Sequence, residues 1–393
     1  MPVKPDDANV KEANFKAKLG EAMKKAKSLT AFLFGPEDLV AVDIGTYAIK
    51  IAEVKLENGA AHLKSWGYIP LAAKAEASPE EKKAQIINEL RAFIIKKGVK
   101  VKEVATALSG NSVIVRYVKF PRLTKSELSA TLATEAEPFI PFDINEVQLG
   151  FHILSDIVEE GQKMMETVLV AAKRDVVTMR LDILQGAGLS PTIIDVDSFA
   201  LENVFEMQRD PKAEMGATLY LNIGHSVTNL SIIENGVTRV VRDIFISGNT
   251  LSKAIMKAFQ VDFNKAEELK KTYGIIVDPA EKEKALQEGQ REALGVSQAV
   301  VNVVKDMVGE VHRSVDFYLS QGPERSIGRI VLMGGVARLK NLSKHLGIEL
   351  KVPVTVLDPF SIFKDAPADL PADLAPSFGV AVGLALRRNK DWL

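Results

Sequence analysis

The chain has 393 residues, 47% hydrophobic and 26% charged, with a net charge of −1, five histidines and no cysteine. That length suits about two to four subdomains rather than one core, and the near-zero charge supplies no basic field for nucleic acid. The absence of cysteine excludes disulfides, thiolate zinc sites and a cysteine nucleophile. The histidines form no HExxH-type pair, so no catalytic metal cage is expected. No apolar run reaches the roughly 18–20 residues that span a bilayer, and no apolar signal core with a cleavage site opens the chain. The cytoplasm is the expected location.

Residues 1–37 read as a basic amphipathic extension. Lys11, Lys16, Lys18, Lys24, Lys25 and Lys27 accompany Phe15, Leu19 and Met23 at helical spacing, and Leu29, Phe32, Leu33 and Phe34 follow. Residues 11–34 therefore either contact an anionic membrane surface peripherally or form a solvated terminus. From Leu39, "LVAV" enters a turn at Gly45 and "AIKIAEVKL" leaves it as a strand, with a hairpin turn at Asn58-Gly59. "SPEEKKAQIINELRAFIIKKG" predicts a helix with Ser78 as N-cap, Pro79 in the first turn and Gly98 as its stop. "EVATALSG" and "SVIVRYVKFPRL" read as strands, the second ended by Pro121. A helix over 124–137 is broken by Pro138 and Pro141, "TVLVAAKRD" is a strand, and a helix over 174–187 stops at Gly186 and Gly188.

The second half starts near Gly216. A strand hairpin over 219–243 precedes "SGNTL", which opens a largely helical stretch from about 250 to 321. "RIVLMGGVARLKNLSKHLG" returns to strand, turn and a helix expected to start near Arg338. A Pro-, Ala- and Asp-rich loop over 364–376 then leads to a closing helix, "PSFGVAVGLALRR".

An internal repeat organises these elements. "VDIGTYAIKIAEVKLENG" (42–59) aligns with "LNIGHSVTNLSIIENG" (221–236), setting Asp43 over Asn222 and Gly45 over Gly224, about 179 residues apart. Either two β-hairpins look alike by chance, or two similar domains face each other. The helix-rich continuation of both copies favours the second. Two such turns across a cleft make a phosphate clamp, because their backbone N–H groups point into the gap and glycine lets phosphate oxygens approach. Thr46 can donate a hydroxyl, Lys50 a point charge, and Asp43 can hold a hydrated Mg²⁺. Gly334 and Gly335 suit the flat packing of an adenine and ribose. Glu267 and Lys270, three apart on one helix face, either reach the ribose and base or form a solvated pair.

With these residues in place, the chain resembles the actin-like ATPase superfamily. "VDIGT" is similar to its first phosphate loop, "LNIGHSVTNL" to its second, "LMGGVARLKNL" to its adenosine loop and "AEELKKTYG" to its nucleotide-facing helix. Within it, "VKFPRLTKSELSATLATEAEPFIPFDINEV" and "AAKRDVVTMRLDILQGAGLSPTIIDVDSFAL" most resemble the PilM family of type IV pilus assembly proteins, which is related to FtsA. The resemblance implies an α/β, actin-like ATPase fold: two duplicated RNase H-like cores, an FtsA-type insertion subdomain and a helical insertion flanking a nucleotide cleft. The expected division is 1–37, then 38–215 with an insertion over about 113–190, then 216–393 with a helical insertion over about 250–321. ATP and Mg²⁺ are the implied cofactors. The nucleotide site would comprise Gly45, Thr46, Lys50, Asn222, Gly224, His225, Ser226, Glu267, Lys270, Gly334, Gly335 and Arg338. Asp43 and Asp197 are the candidate catalytic carboxylates, and Asp43 the metal ligand. The implied partner is the N-terminal cytoplasmic peptide of a PilN-like inner-membrane protein, held in a groove of the first half. Pilus motor ATPases and further copies of the chain, as a homo-oligomer or ring, are additional candidates. The protein would then sit at the inner face of the inner membrane through its partners, with no nucleic acid involved.

Departures from the superfamily pattern bear on turnover. Its second phosphate loop often runs Asp-x-Gly-Gly-Gly-Thr, whereas here Asn222, His225 and Ser226 stand in, and Asn229 sits where FtsA-like loops often have Asp. An amide accepts a hydrogen bond from a metal-bound water but brings no charge, which weakens metal positioning and the ordering of attacking water. His225 either donates to a phosphate or fills the loop. Asp195 and Asp197 lie near the cleft by resemblance, and either orients water or caps a helix near Ser198. The expected function is therefore an ATP-binding scaffold that is at most a weak ATPase. The alternatives are a small-molecule kinase of the same superfamily, which lacks a clear base here, and an FtsA-like or GspL-like adaptor. Against the last, "RRNKDWL" is too short for a membrane-binding helix, and no membrane-spanning segment follows it.

Overall fold

The computed structural model describes residues 38–57, 60–71, 78–208, 216–367 and 369–387. The basic extension, the Asn58-Gly59 turn and residues 388–393 lie outside the described residues. The first half runs β1 (Asp38–Ile44), β2 (Ala48–Glu57), β3 (Ala60–Pro70), α1 (Pro79–Lys97) and β4 (Glu103–Leu108). It continues with β5 (Val113–Pro121), α2 (Lys125–Ala136), β6 (Val147–Glu159), β7 (Gln162–Lys173), α3 (Arg174–Gly186), β8 (Ser190–Val196) and α4 (Asp197–Gln208). The second half comprises β9 (Ala217–Ile223), β10 (Thr228–Glu234), β11 (Val237–Ile244), α5 (Gly248–Phe259), α6 (Phe263–Tyr273) and α7 (Pro279–Gln287). The long α8 (Arg291–Leu319), β12 (Ile327–Met333), α9 (Leu342–Leu350), β13 (Val354–Val356) and α10 (Gly379–Ala385) complete it.

Local chemistry sets many of these boundaries. At α1, Ser78 Oγ accepts the Glu81 N–H while the Glu81 carboxylate accepts the Ser78 N–H, and Gly98 ends the helix in a left-handed conformation. Thr124 and Glu127 repeat the same box at α2. The sequence places a helix start near Arg338, but the structure has a 3₁₀ turn there, Gly335–Arg338. Leu339 is extended and Asn341 left-handed (φ 63°), so helical geometry resumes only at Leu342. Strands β6, β8 and β13 are ones the sequence pattern did not single out.

Two five-stranded sheets share one topology, β3-β2-β1-β4-β8 and β11-β10-β9-β12-β13. In each, the first three strands form an antiparallel meander and the last two join in parallel. The repeat is thus one of whole cores, not of isolated hairpins. Between the sheets lies a shared hydrophobic layer in which α4 and α10 contribute Leu201, Phe205, Val382 and Leu384. Leu39 and Ala41 of the first sheet close it on one side, and Tyr220 and Val331 of the second on the other. Each fully buried Leu or Phe there contributes about 1.5–3 kcal/mol, so both halves are anchored at this layer. A third sheet, β5-β7-β6, packs its own small core under α2, around Leu128, Met165 and Leu169. Helices α5, α6 and α8 cover the second sheet through Leu251, Leu269 and Val300.

Candidate functional site: a cleft between two matching turns

The β1–β2 turn and the β9–β10 turn face each other above the shared layer, and a cavity of about 570 Å³ opens beside them. Asp43, Gly45, Thr46, Lys50, Asp197, Asn222, Gly224, His225, Ser226, Glu267, Lys270, Gly334, Gly335 and Arg338 all line it. These residues span 295 positions of the chain (43 to 338) and are brought to one site. The turns touch at their tips, where the Thr46 and Ser226 hydroxyls are 2.9 Å apart. The His225 ring lies against Tyr47 at 5.4 Å and meets Phe263, the first residue of α6, edge-on at 5.9 Å. Burial holds its pKa below the ordinary range, so this ring is neutral at pH 7. His225 is accordingly a packed ring that bridges the two turns.

Charge is concentrated at the floor. Asp43 and Lys50 stand opposite each other across β1 and β2 and form a 2.7 Å ion pair, each side chain 14% exposed. Asp197 opens α4 beside them. Its pKa is pushed up from 3.8 to about 7, first by burial and then by the Asp43 charge, against the opposing pull of the Ser109 hydroxyl, Lys50 and Arg180. A carboxyl titrating near neutrality can hold or accept a proton at working pH. Arg180 donates to the Ile44 carbonyl at 3.4 Å. Burial lowers its pKa, while Asp43 and Asp197 counter that. On the opposite wall Glu267 and Lys270 pair with one another and share the Ser252 hydroxyl; Lys270 Nζ also donates to the Gly248 carbonyl at 3.2 Å. Arg338 reaches the Gly335 and Asp373 carbonyls at 3.4 and 3.3 Å.

Gly334 and Gly335 line the cavity side by side. The Gly334 φ is +83°, and an added Cβ would sit 2.5 Å from the Ile223 carbonyl and 2.7 Å from Asn222 Oδ1. Gly334 therefore admits no side chain because it packs directly on β9, whereas a Cβ at Gly335 would meet only the Ser377 hydroxyl, at 3.9 Å, so that position is the open one. Ser109, Arg180 and Tyr68 also line the site and were not found from sequence. A signal for Arg180 was present: Val176, Val177, Arg180, Ile183 and Leu184 share one stripe of α3, and a cation on an apolar stripe needs a buried partner.

Asp195 is not in the cleft, contrary to the expectation for the Asp195/Asp197 pair. In a continuous strand, residues two apart share a face, but β8 ends at Val196 and α4 begins at Asp197, so the two side chains diverge. Asp195 instead forms a nearly fully buried ion pair with Arg387 at 3.2 Å. The pair lies in a second cavity, of about 480 Å³, enclosed by the β5–β7–β6 sheet, α4 and the β10–β11 turn. Val113, Tyr117, Val168 and Val170 form its apolar wall. Phe199, Glu202, Asn203 and Glu206 of α4 form the opposite wall, spaced as one helical face. Glu202 accepts the Thr238 N–H at 3.0 Å, and burial pushes its pKa up from 4.5 to about 7. One helix therefore lines both cavities, by its first residue in the cleft and by its outer face in the second.

Among the described residues no three His, Cys, Asp or Glu side chains converge into a metal cage, and no helix is long and apolar enough to cross a membrane. Two cores of one topology, with matching turns over a cleft and two helices between the sheets, define a protein of the actin-like ATPase fold. The family model for type IV pilus assembly protein PilM matches residues 41–389. The chain belongs to that family. It is similar to a solved PilM–PilN type IV pilus biogenesis complex, with 28% identity and a TM-score of 0.75, covering 90% of this chain and 99% of that one. It also shares its fold with ethanolamine utilization protein EutJ from Carboxydothermus hydrogenoformans, at 15% identity and a TM-score of 0.51, covering 89% and 90% of the two chains.

Proposed function

We propose that the protein is a cytoplasmic ATP-binding scaffold of type IV pilus assembly, with weak or no hydrolysis. Its partner is the N-terminal cytoplasmic peptide of a PilN-like inner-membrane protein, bound in the second cavity. The observation that carries this reading is the double use of α4, which gives nucleotide and peptide a common wall. A shift of α4 on filling one cavity changes the other, so each ligand alters the other's affinity by the same factor.

The residues present fit a nucleotide. Lys50 and the backbone N–H groups of the two turns would take the phosphates, Gly334 and Gly335 the adenosine, with Arg338 alongside. Asp43 would hold Mg²⁺ through water, and the ion would supply neutralisation of phosphate charge. Turnover is disfavoured because Asn222 brings no negative charge and Asp43 is already engaged by Lys50. Asp197, whose pKa is raised to about 7, would be the group to take a proton. The second cavity suits a chain terminus. Its apolar wall takes side chains, while Glu202 on the facing side of α4, with a carboxyl titrating at about 7, would yield its proton to meet an α-ammonium group. The family and the likeness to a complex containing PilN support this partner.

The test uses the full chain and the cytoplasmic N-terminal peptide of a PilN-like inner-membrane protein. Denatured protein should release ATP, phosphate release should be slow, and Val170→Arg should abolish peptide binding while nucleotide retention persists. Rapid multiple turnover with a small hydroxylated substrate would favour the kinase reading. Peptide binding unaffected by Val170→Arg would move the groove elsewhere.

A further inference from the structure

Asn222, Asn229 and Asp243 are direct cross-strand neighbours on β9, β10 and β11. Their side chains form a hydrogen-bonded row. Asn229 Nδ2 donates to Asp243 Oδ1 at 2.6 Å, and Asn222 Nδ2 donates to Asn229 Oδ1 at 3.3 Å. The far end sets the direction of the row. An ionised carboxylate only accepts, so it draws the Asn229 NH₂ toward itself. The Asn229 carbonyl oxygen then faces Asn222 and draws the Asn222 NH₂. What remains at the cleft end is Asn222 Oδ1, an acceptor, beside Gly334. Asn229 is 7% exposed, so water does not compete for its amide. Asp243 also accepts the backbone N–H of Gly110, in the turn after β4, which ties the row to the first half.

The first core has a row at the same place: Asp43, Lys50 and Tyr68 on β1, β2 and β3. There the carboxylate stands on the first strand, at the cleft, with a cation behind it. In the second core the carboxylate stands on the third strand, and two amides carry its polarity to the cleft.

We propose that Asp243 is a positioning residue of the cleft: through Asn229 it orients Asn222 so that a carbonyl oxygen, not an NH₂ group, faces the nucleotide and accepts from water on its divalent ion. This rests on the nucleotide reading of the cleft. One consequence is that a carboxylate cannot simply be restored at position 222. Asn222→Asp puts carboxylates at both ends of Asn229, which can turn its NH₂ to only one of them; the other then meets a carbonyl oxygen. Adding Asp243→Asn resolves the conflict by reversing the row. The Asn229 NH₂ then serves position 222, the amide at 243 donates to Asn229 Oδ1, and its own oxygen still accepts from Gly110.

Four full-length proteins decide the matter: wild type, Asn222→Asp, Asp243→Asn and the double variant. Each is measured for melting temperature without ligand and for affinity toward a fluorescent ATP analogue with and without Mg²⁺. Each single variant should melt lower than wild type and lose about tenfold of the Mg²⁺-dependent gain in affinity, the scale of one misdirected buried hydrogen bond. The double variant should recover both to within about threefold of wild type in affinity, a non-additivity expected only of coupled sites. Additive losses in the double variant would overturn the row. Recovered melting without recovered Mg²⁺-dependent affinity would overturn the positioning role. If wild type binds no nucleotide, the nucleotide reading and the positioning role fall together, and the melting cycle still decides whether the row exists.

Discussion

Replacing Glu202 by Gln should make the protein more stable at alkaline than at acid pH relative to wild type. Glu202 links α4 to the second core by accepting the Thr238 N–H at 3.0 Å, and Gln keeps an acceptor there. Below about pH 4.5 the wild-type carboxyl is protonated in folded and unfolded states alike and contributes no pH dependence. Between 4.5 and about 7 the unfolded chain releases a proton that the folded chain retains, so stability falls as pH rises. Above about 7 the loss is complete and constant. At 1.36 kcal/mol per pKa unit, the rise from 4.5 to about 7 sets a ceiling of about 3 kcal/mol. Glu202 keeps part of its surface in solvent, so about half of that, ~1.5 kcal/mol, is the working figure. The assay is urea denaturation of both proteins from about pH 5 to about pH 8. Other groups with raised values, Asp197 and Asp243 among them, cancel in the difference. Parallel stability curves across that window would refute the placement of Glu202.

Gly334→Ala forces a Cβ into a left-handed position 2.5 Å from the Ile223 carbonyl; it should cost about 1–3 kcal/mol and abolish ATP retention, as read by thermal melting and nucleotide release. Gly383→Ala sets a Cβ 2.0 Å from the Ala200 carbonyl, where α10 crosses α4. Separating the two helices should cost about 1–3 kcal/mol, and an unchanged melting temperature would show that they do not pack this closely. Asp195→Ala withdraws the carboxylate from the buried Arg387 guanidinium and should destabilise by about 3–5 kcal/mol. Nucleotide affinity of the folded fraction should survive, because Asp195 lies outside the cleft.

The helix caps and the two glycine turns were legible in the sequence because each is written in residues a few positions apart, and the duplication because the same short pattern recurs about 179 residues on. Ser78 and Glu81 meet within one helical turn, and Asp43 to Lys50 spans one hairpin. Even the loop that departs from pattern, Asn222 to Asn229, declared its missing charge by residue type alone. Tertiary structure decided what short spacing cannot encode. Asp195 and Asp197 part because the backbone changes period between them, strand to helix. Arg180 and Ser109 reach the cleft only when α3 and the β4–β5 turn fold over β1. The orientation of Asn222 depends on Asp243, 21 residues on (222 to 243) and two strands across the sheet. An amide has two ends of nearly equal shape, and only the neighbour's charge chooses between them.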